Sequence, residues 1–493
     1  MYLARRWFVV GLFLSLCAVA RADEHVFHHD HALGTSLDLT VCGTARQAQE
    51  VEKVVLGEVE RLRRILSTYD PASEISRLSA APTKCSPELI EVLRACDDWR
   101  ARSGGAHNTH IGDLIAVWKR AQQTQTLPDE ATLATLAAAA ARPAWKIDAQ
   151  NVALLCSTKL SIDSIGKGYI ITKAIAAARQ EVPGVEGILL NIGGDIGIYS
   201  RPDSPRTSLI AIADPFHPQD NAPPLGVVPL ANGAISTSAG YERGYDILGR
   251  HYSHILDPRT GRPASAVASA TVIAPDNLTA NALATSLCVL GPEEGLKLVG
   301  RTAGAACLLV GADGRQFRSE GFPAMRRAAD RAAPAAAANE TWPKDFQVSL
   351  SITLKAPAGR RRPQRAMVAI WVENDRGQPV RTITVWGNER KYFRELPAWW
   401  AFARNKPEMV GAVTRASRPA GRYRVLWDGL DDAGKSLPRG TYQVVIEANR
   451  EHGRRVIERA SIVCGAERAS SVIKATVEWE EAQLTYGSKS EQP

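Results

Sequence analysis

His254 closes an apolar, strand-like segment and opens the run His-Ile-Leu-Asp-Pro-Arg-Thr-Gly (254–261). An imidazole titrates near neutral pH, so a histidine fixed beside a rigid Asp-Pro turn has the chemistry of a general base. Further along, Thr279-Ala-Asn-Ala-Leu-Ala-Thr285 sets Asn281 and Thr285 four apart, on one face of a helix. A base at a strand end, a stiff turn and a polar helical face describe a built site rather than a solvated loop.

Five more segments carry groups that could do chemistry. Ser164-Ile-Gly-Lys-Gly-Tyr169 precedes a helix expected to begin near Ile170. Glycines around Lys167 at a helix start leave backbone amides free for an anion, to which the lysine adds charge. A tight turn with a solvated lysine fits the same residues, and the spacing is not that of a Walker loop. Asn191-Ile-Gly-Gly-Asp195 ends an apolar run. Gly193 and Gly194 permit close backbone approach to a ligand or a neighbouring strand. Asp195 can hydrogen-bond a sugar, orient another group or simply belong to the turn. Ser236-Thr-Ser-Ala-Gly240 is small enough for main-chain contact with a bulky planar ligand, which places Thr237 and Ser238 among the binding candidates. Tyr69, in the polar loop Leu66 to Ser79, can stack on an aromatic ligand or close the preceding helix. His25, His28, His29 and His31 read as the start of a first strand, with a metal tract as the alternative.

These groups need a scaffold, and the patterning supplies one. Residues 23–325 alternate helical and strand periods, as expected of an α+β domain. Val51, Val54, Val55, Val59, Leu62, Ile65 and Leu66 have helical spacing across 45–66. Gly187–Ile192 and Ala268–Ala274 have the character of strands. Residues 326–342 form an Ala-rich linker. Residues 343–485 switch to period-two runs separated by turn clusters, which predicts a β-sandwich domain. There, Trp427-Asp-Gly and Pro438-Arg-Gly-Thr-Tyr442 look like the closing strands of bacterial immunoglobulin-like modules. Its aromatic residues are expected in the core, and residues 486–493 form a disordered tail. No repeat relates the two parts.

The chain has 493 residues, 45% hydrophobic and 23% charged, which suits soluble domains with sizeable cores. Arg5 and Arg6, the apolar stretch Trp7 to Ala20 and the motif Ala20-Arg21-Ala22 read as a cleaved secretory signal over residues 1–22. Cys17 lacks the small neighbour expected before a lipidated cysteine. Loss of Arg5, Arg6 and Arg21, with no acidic residue, takes the net charge from +8 to +5, which does not point to nucleic acid. The seven remaining cysteines are widely spaced without any C-x-x-C pair, so a zinc finger is not expected. Cys85 and Cys96 are the nearest candidates for a disulfide, and Cys156 and Cys288 read as buried apolar residues. The basic run Gly359 to Arg365 reads as a solvated loop, with peripheral contact at the anionic inner membrane as the alternative.

Taken in order, Leu33-Gly-Thr35, Leu66 to Ser79, Gly105-Ala-His-Asn-Thr109, Ser161 to Tyr169, Asn191 to Asp195, Ser236 to Gly240, His254 to Gly261 and Ala280 to Thr285 resemble the ApbE-type flavin transferases. The resemblance spans residues 28–320, and the second domain is similar to a β-rich module sometimes fused to that family. It implies an ApbE-like fold and a reaction in which FAD is split, FMN is joined to a threonine hydroxyl of a partner protein, and AMP leaves. It further implies Mg2+ as cofactor, a periplasmic location and an acceptor belonging to an electron-transfer system. In this comparison His254 matches the catalytic histidine. Ser164, Asn281 and Thr285 match metal-ligand positions, Ser164 through its carbonyl. Tyr69, Ala106, His107, Asn108 and Lys167 match contacts to the dinucleotide, and Gly193, Gly194 and Asp195 frame the same pocket.

Two departures bear on the metal. Asn281 stands where the family commonly has aspartate, which removes a negative charge and predicts weaker metal affinity. Ser161-Ile-Asp163 replaces the usual acid-x-Gly pattern, so that Asp163 brings a carboxylate to a neighbouring position. The same residues accommodate two other readings: an FAD pyrophosphatase that uses water as acceptor, and a flavin-binding protein without transfer activity.

Overall fold

Thr-Ser-Leu-Asp-Leu-Thr-Val-Cys alternates in hydropathy, and Leu37, Leu39 and Val41 are fully buried along one face of the strand Thr35–Cys42. In the computed structural model this strand lies between Glu24–Ala32 and Gly187–Ile192. The sheet continues through Asp195–Ser200, Gly233–Ala239, Val267–Ala274, Ala306–Gly311 and Gln316–Arg318, every neighbouring pair antiparallel. The structure describes residues 23–488 apart from 204, 217–223, 241–242, 326–341, 344, 357–365, 388–389, 407–408, 411–412, 416 and 451–454. The expected signal segment, most of the linker and most of the basic run lie outside the described residues.

The helices of this region are α1 (Ala45–Leu66), α2 (Pro87–Arg102), α3 (Gly112–Thr124), α4 (Glu130–Ala140), α5 (Asp163–Glu181) and α6 (Asn277–Gly300). Thr44 and Gln47 form a capping box at the start of α1, where each satisfies an amide the helix leaves open. The buried stripe of α1, Val51, Val55, Val59, Leu62 and Leu66, is the one its periodicity predicts. One apolar cluster joins α1, α2, α5 and α6 to the sheet.

Helix α5 begins at Asp163 rather than near Ile170, so Gly166 and Gly168 are helical residues and not a turn. The reason is packing. A β-carbon at Gly168 would lie 2.5 Å from the Asn277 carbonyl oxygen on α6. Close helix approach requires glycine here, and the tertiary contact overrides its poor helix propensity.

After the linker, two sheets share an apolar core. Four strands run in the order Gly421–Trp427, Phe346–Leu354, Ala482–Ser488, Ala469–Ile473. Five run Thr414–Arg415, Pro379–Trp386, Met367–Glu373, Gly440–Asn449, Val456–Cys464. Leu350, Ile370, Trp427, Val444, Trp479 and Tyr486 meet between them. Both sequence boundaries shift. Trp342, assigned to the linker, is buried 4.6 Å from Trp427, ring to ring. Tyr486, assigned to the tail, is 1% exposed and donates its hydroxyl to the Gly465 carbonyl at 2.8 Å. A short helix, α7 (Pro397–Ala403), interrupts the expected strands. The fully buried Glu447 accepts from the amides of Ala398 and Trp399 at its start, where unpaired N–H groups favour a carboxylate. Trp399 is buried there, so the aromatic core expected of this region is present but is divided between two clusters.

All seven described cysteines are free, including Cys85 and Cys96. Cys288 is buried as expected, whereas Cys156 is only half-buried.

Candidate functional site

Helix α5 starts without a side-chain cap, so its first turn presents Asp163 and Ser164 to whatever packs there. Two distant segments do so. Tyr69, in the loop after α1, donates its hydroxyl to Asp163 Oδ2 at 2.6 Å while 73% exposed, and burial of the hydroxyl, then the bond to Asp163, pushes its pKa up to about 12. His107 Nε2 lies 3.0 Å from Ser164 Oγ. The His107 ring is buried, which drives its pKa down to about 4 and keeps it neutral, and its Nδ1 has no partner.

The loop that carries His107 is braced by its own residues and by the end of α4. Ser103 Oγ accepts from the His107 amide at 2.9 Å. Asn108 donates to the Ala140 carbonyl at 2.8 Å and accepts from the His110 amide at 2.9 Å. The Asn108 side chain therefore braces the loop, and Ala106 is buried beneath it. Between this loop and the Asp-Pro turn lies a cavity of about 440 Å³ lined by Asp97, Arg100, Gly105, Asn108, Pro258 and Arg259.

One turn along α5, Lys167 makes an ion pair with the buried Asp195, so it is neither a solvated lysine nor an unpaired anion receptor. Gly193 and Gly194 form a two-residue hairpin with φ of 57° and 92°, the left-handed geometry such turns require. Asn191 Oδ1 accepts from the Gly194 amide at 2.9 Å, and Asn191 Nδ2 reaches Asp38, which His28 holds in turn at 2.6 Å. The His31 side chain lies outside the described residues, while His25 goes to the Gly43 carbonyl and His29 to Glu52. They do not gather as a metal tract, and among the described residues no three His, Cys, Asp or Glu side chains form a metal-holding group.

Helices α5 and α6 cross at Gly168 and Asn277, whose amide donates to Thr172 Oγ1 at 3.2 Å. Ser164 lies one turn before this crossing on α5, and Asn281 one turn after it on α6. Asn281 is buried and its Nδ2 has no partner. Thr285 Oγ1 lies 3.4 Å from Ser238 Oγ on the adjoining strand. Strand alternation sends Thr237 to the opposite face, where it meets Thr271 Oγ1 at 2.9 Å. The structure therefore brings Ser238 to the helix and leaves Thr237 out. Ser236 Oγ and Asn277 Nδ2 are also buried without partners. Natural interiors rarely leave such groups unpaired unless water, an ion or a ligand completes them.

His254 follows the hairpin of Gly244–Ile247 and Arg250–Ser253. Its Nδ1 donates to the Arg243 carbonyl at 2.9 Å, and its amide donates to the same oxygen at 3.2 Å. A carbonyl only accepts, so the proton sits on Nδ1 and Nε2 is left with a lone pair. The residue is exposed, yet protein crowded around the ring desolvates the imidazolium and lowers its pKa. The following turn is stiff. Arg259 forks onto Asp257 with two bonds of 2.9 Å, and Trp118 donates to the Gly261 carbonyl at 2.8 Å. The hairpin abuts the strand that carries Ser238: His251 Nε2 meets the Gly240 carbonyl at 3.0 Å, and a β-carbon at Gly240 would fall 2.7 Å from Ser253 Oγ.

Sequence reasoning did not single out Arg243, Lys159, Ser103 or Asn277. Nothing in their local pattern marks them, because their roles come from contacts with remote segments. Together the site offers neutral oxygen donors, a neutral buried histidine, an unprotonated imidazole nitrogen and several cations. That combination suits an anionic ligand together with a hard divalent ion, since such ions prefer oxygen ligands.

The pattern of the ApbE family matches residues 33–309. That of a second family, described as "Predicted periplasmic protein (DUF2271)", matches residues 346–481. Among curated proteins, the FAD:protein FMN transferase of Rhodobacter capsulatus is 28% identical over 335 residues, 65% of this chain and 62% of that protein. The chain thus spans less than two thirds of the length of that relative. The enzyme of the same name from Escherichia coli K12 is 26% identical over 61% of this chain and 88% of its own length. Among solved structures, the ApbE protein of Thermotoga maritima superposes with a TM-score of 0.55 at 26% identity, over 61% of this chain and 98% of that one. The flavin transferase ApbE of Vibrio cholerae gives 0.51 at 23% identity, over 61% and 98%, a likeness of fold alone. No helix among the described residues is long and apolar enough to cross a membrane.

Proposed function

The chain belongs to the ApbE family over residues 33–309, and on that premise we propose that it transfers FMN from FAD to a threonine hydroxyl of a partner protein, with magnesium, releasing AMP. The observation that carries this reading is the convergence of four remote segments around the first turns of α5. Tyr69 meets Asp163, His107 meets Ser164, Lys167 meets Asp195, and Gly168 meets Asn277, with Asn281, whose Nδ2 is unpaired, one turn on along α6.

In this reading Tyr69 stacks on the flavin and the loop Ala106 to Asn108 encloses it. Gly193, Gly194 and Asp195 hold Lys167 in place. His254 Nε2 takes the proton of the threonine hydroxyl as its oxygen attacks the phosphorus of the FMN moiety. The new phosphoester forms as the bond to the AMP oxygen breaks, and AMP leaves with that electron pair. The Arg243 carbonyl keeps Nε2 available by holding the proton on Nδ1.

The residues fit magnesium. The Ser164 carbonyl, the Asn281 amide oxygen and the Thr285 hydroxyl are neutral, hard oxygen donors. When bound, magnesium neutralises charge on the diphosphate. Asn281 supplies no charge of its own, which lowers affinity for the ion. Asp163, one residue from Ser164, supports partial compensation.

We also read residues 1–22 as a cleaved export signal, the acceptor as part of a periplasmic electron-transfer system, and the second region as an immunoglobulin-like sandwich that docks that acceptor. The family description of that region and its two-sheet core support this.

Incubation of the pure protein with FAD and magnesium, with and without a threonine-bearing acceptor, tests the proposal. Transfer requires the acceptor and adds an FMN-sized mass to it. Release of FMN and AMP without acceptor identifies a pyrophosphatase, and retention of intact FAD identifies a binding protein.

A further inference from the structure

A dinucleotide carries two negative charges on its diphosphate, and the cation suggested by sequence to meet them, Lys167, is occupied by Asp195. Two other cations stand at the site, Lys159 against the Tyr69 ring and Arg243 bonded to His254, and among the described residues neither has a carboxylate partner.

Both are anchored through their main chains. Beside Lys159, Thr158 Oγ1 donates to Asp113 at 2.7 Å and the Ser161 amide donates to the Thr109 carbonyl at 2.8 Å. The Lys159 carbonyl itself packs on Gly112 so closely that no β-carbon fits there. From this fixed base the ammonium stands 5.0 Å from the centre of the exposed Tyr69 ring. Arg243 is fixed by the two hydrogen bonds its carbonyl accepts from His254, at 2.9 and 3.2 Å. The Arg243 charge acts on both the Tyr69 hydroxyl and the His254 ring. Arg243 is thus bonded to the base, and its charge reaches the aromatic platform.

We propose that Lys159 and Arg243 form an anion clamp around Tyr69 that receives the diphosphate of the flavin dinucleotide and holds its flavin-side phosphate at His254. This rests on the reading of the site as one that consumes FAD. The chemistry selects a phosphate-bearing ligand over a bare flavin, since stacking on Tyr69 serves both equally and only the diphosphate engages the cations. The same charges offered to an acidic segment of the acceptor protein would make a different device, and the test separates the two.

The test uses the full-length protein with three probes: FAD, ADP (a diphosphate without flavin) and riboflavin (a flavin without phosphate). Flavin fluorescence and calorimetry give their affinities for the unaltered protein, Lys159→Gln, Arg243→Gln, Arg243→Lys and the double glutamine variant. Each glutamine substitution is expected to weaken FAD and ADP about tenfold, the size of a lost charge-assisted bond, and to leave riboflavin unchanged. Arg243→Lys retains most of the FAD affinity. Unchanged FAD affinity in the double variant overturns the clamp, as does a parallel loss of riboflavin, and so does failure of the unaltered protein to bind FAD. A rise only in the KM for the acceptor also overturns it and assigns the cations to protein docking. If FAD binds as expected but no FMN is transferred, the clamp stands and the transferase reading falls.

Discussion

Gly168 of α5 passes so close to Asn277 of α6 that a β-carbon on the glycine would lie 2.5 Å from the asparagine carbonyl oxygen. This contact sets the spacing of the two helices that carry Ser164, Asn281 and Thr285. Gly168→Ala must push backbone from backbone, and overpacking of that kind costs about 1–3 kcal/mol. We expect a lower melting temperature together with weaker binding of divalent ion. If the variant melts with the parent and binds the ion equally, the crossing does not set the site.

His254 is the proposed base, and its replacement by glutamine is expected to lower the transfer rate about 10²–10⁴-fold while FAD affinity is kept. Desolvation lowers the His254 pKa, so the unprotonated form persists to lower pH than for an ordinary histidine. A plot of kcat/KM against pH should rise to its plateau with a midpoint below the usual value of 6.5. A midpoint above that value would contradict the environment described for the ring.

His107 gives a pH effect on stability rather than rate. Its folded pKa is about 4, against 6.5 for an ordinary histidine. At pH above 6.5 neither state is protonated and the group contributes no pH dependence. As pH falls from there toward 4, the unfolded chain binds a proton that the buried ring refuses, so stability declines by up to about 3 kcal/mol. Urea unfolding at several pH values should show this slope in the parent and its reduction in His107→Gln. Equal slopes would mean that the ring is not held neutral.

Asn281→Asp restores a charge at the buried end of the metal face. We expect divalent-ion affinity to rise roughly tenfold or more by calorimetry, since ligand charge sets affinity for hard cations. Without the ion, the variant should melt below the parent, because an unpaired buried carboxylate is costly. An affinity equal to that of the parent would remove Asn281 from the ligand set.

The two apolar cores share no residues: one draws on the chain from Leu37 to Leu309 and the other on Trp342 to Tyr486. A chain ending at Met325 is therefore expected to fold cooperatively and to bind FAD within about twofold of the parent. Undiminished transfer to the natural acceptor by that truncated chain would argue against a docking role for the second region.

Much of the scaffold was legible because local pattern and tertiary role coincide. The stripe from Val51 to Leu66 is both a helical period and a buried face. Gly187–Ile192 is both an apolar run and a central strand. The proposal for His254 draws on the same kind of coincidence, since an imidazole and the stiff Asp-Pro turn lie side by side in the chain. The start of α5 was not, because glycine normally signals a turn and only the approach of Asn277 explains Gly168 inside a helix.

The amino-acid sequence by itself determined which segments are helices and strands and which residue types can serve as base, oxygen donors and aromatic platform. Those properties follow from periodicity and from the chemistry of single side chains. Only the tertiary structure decided how they are used. It pairs Lys167 with Asp195, turns Thr237 away while Ser238 faces Thr285, ties Asn108 to the end of α4, and sets Lys159 against Tyr69 and Arg243 beside His254. Each of these depends on which remote segment comes within hydrogen-bonding or Coulombic reach, and long-range packing sets those distances.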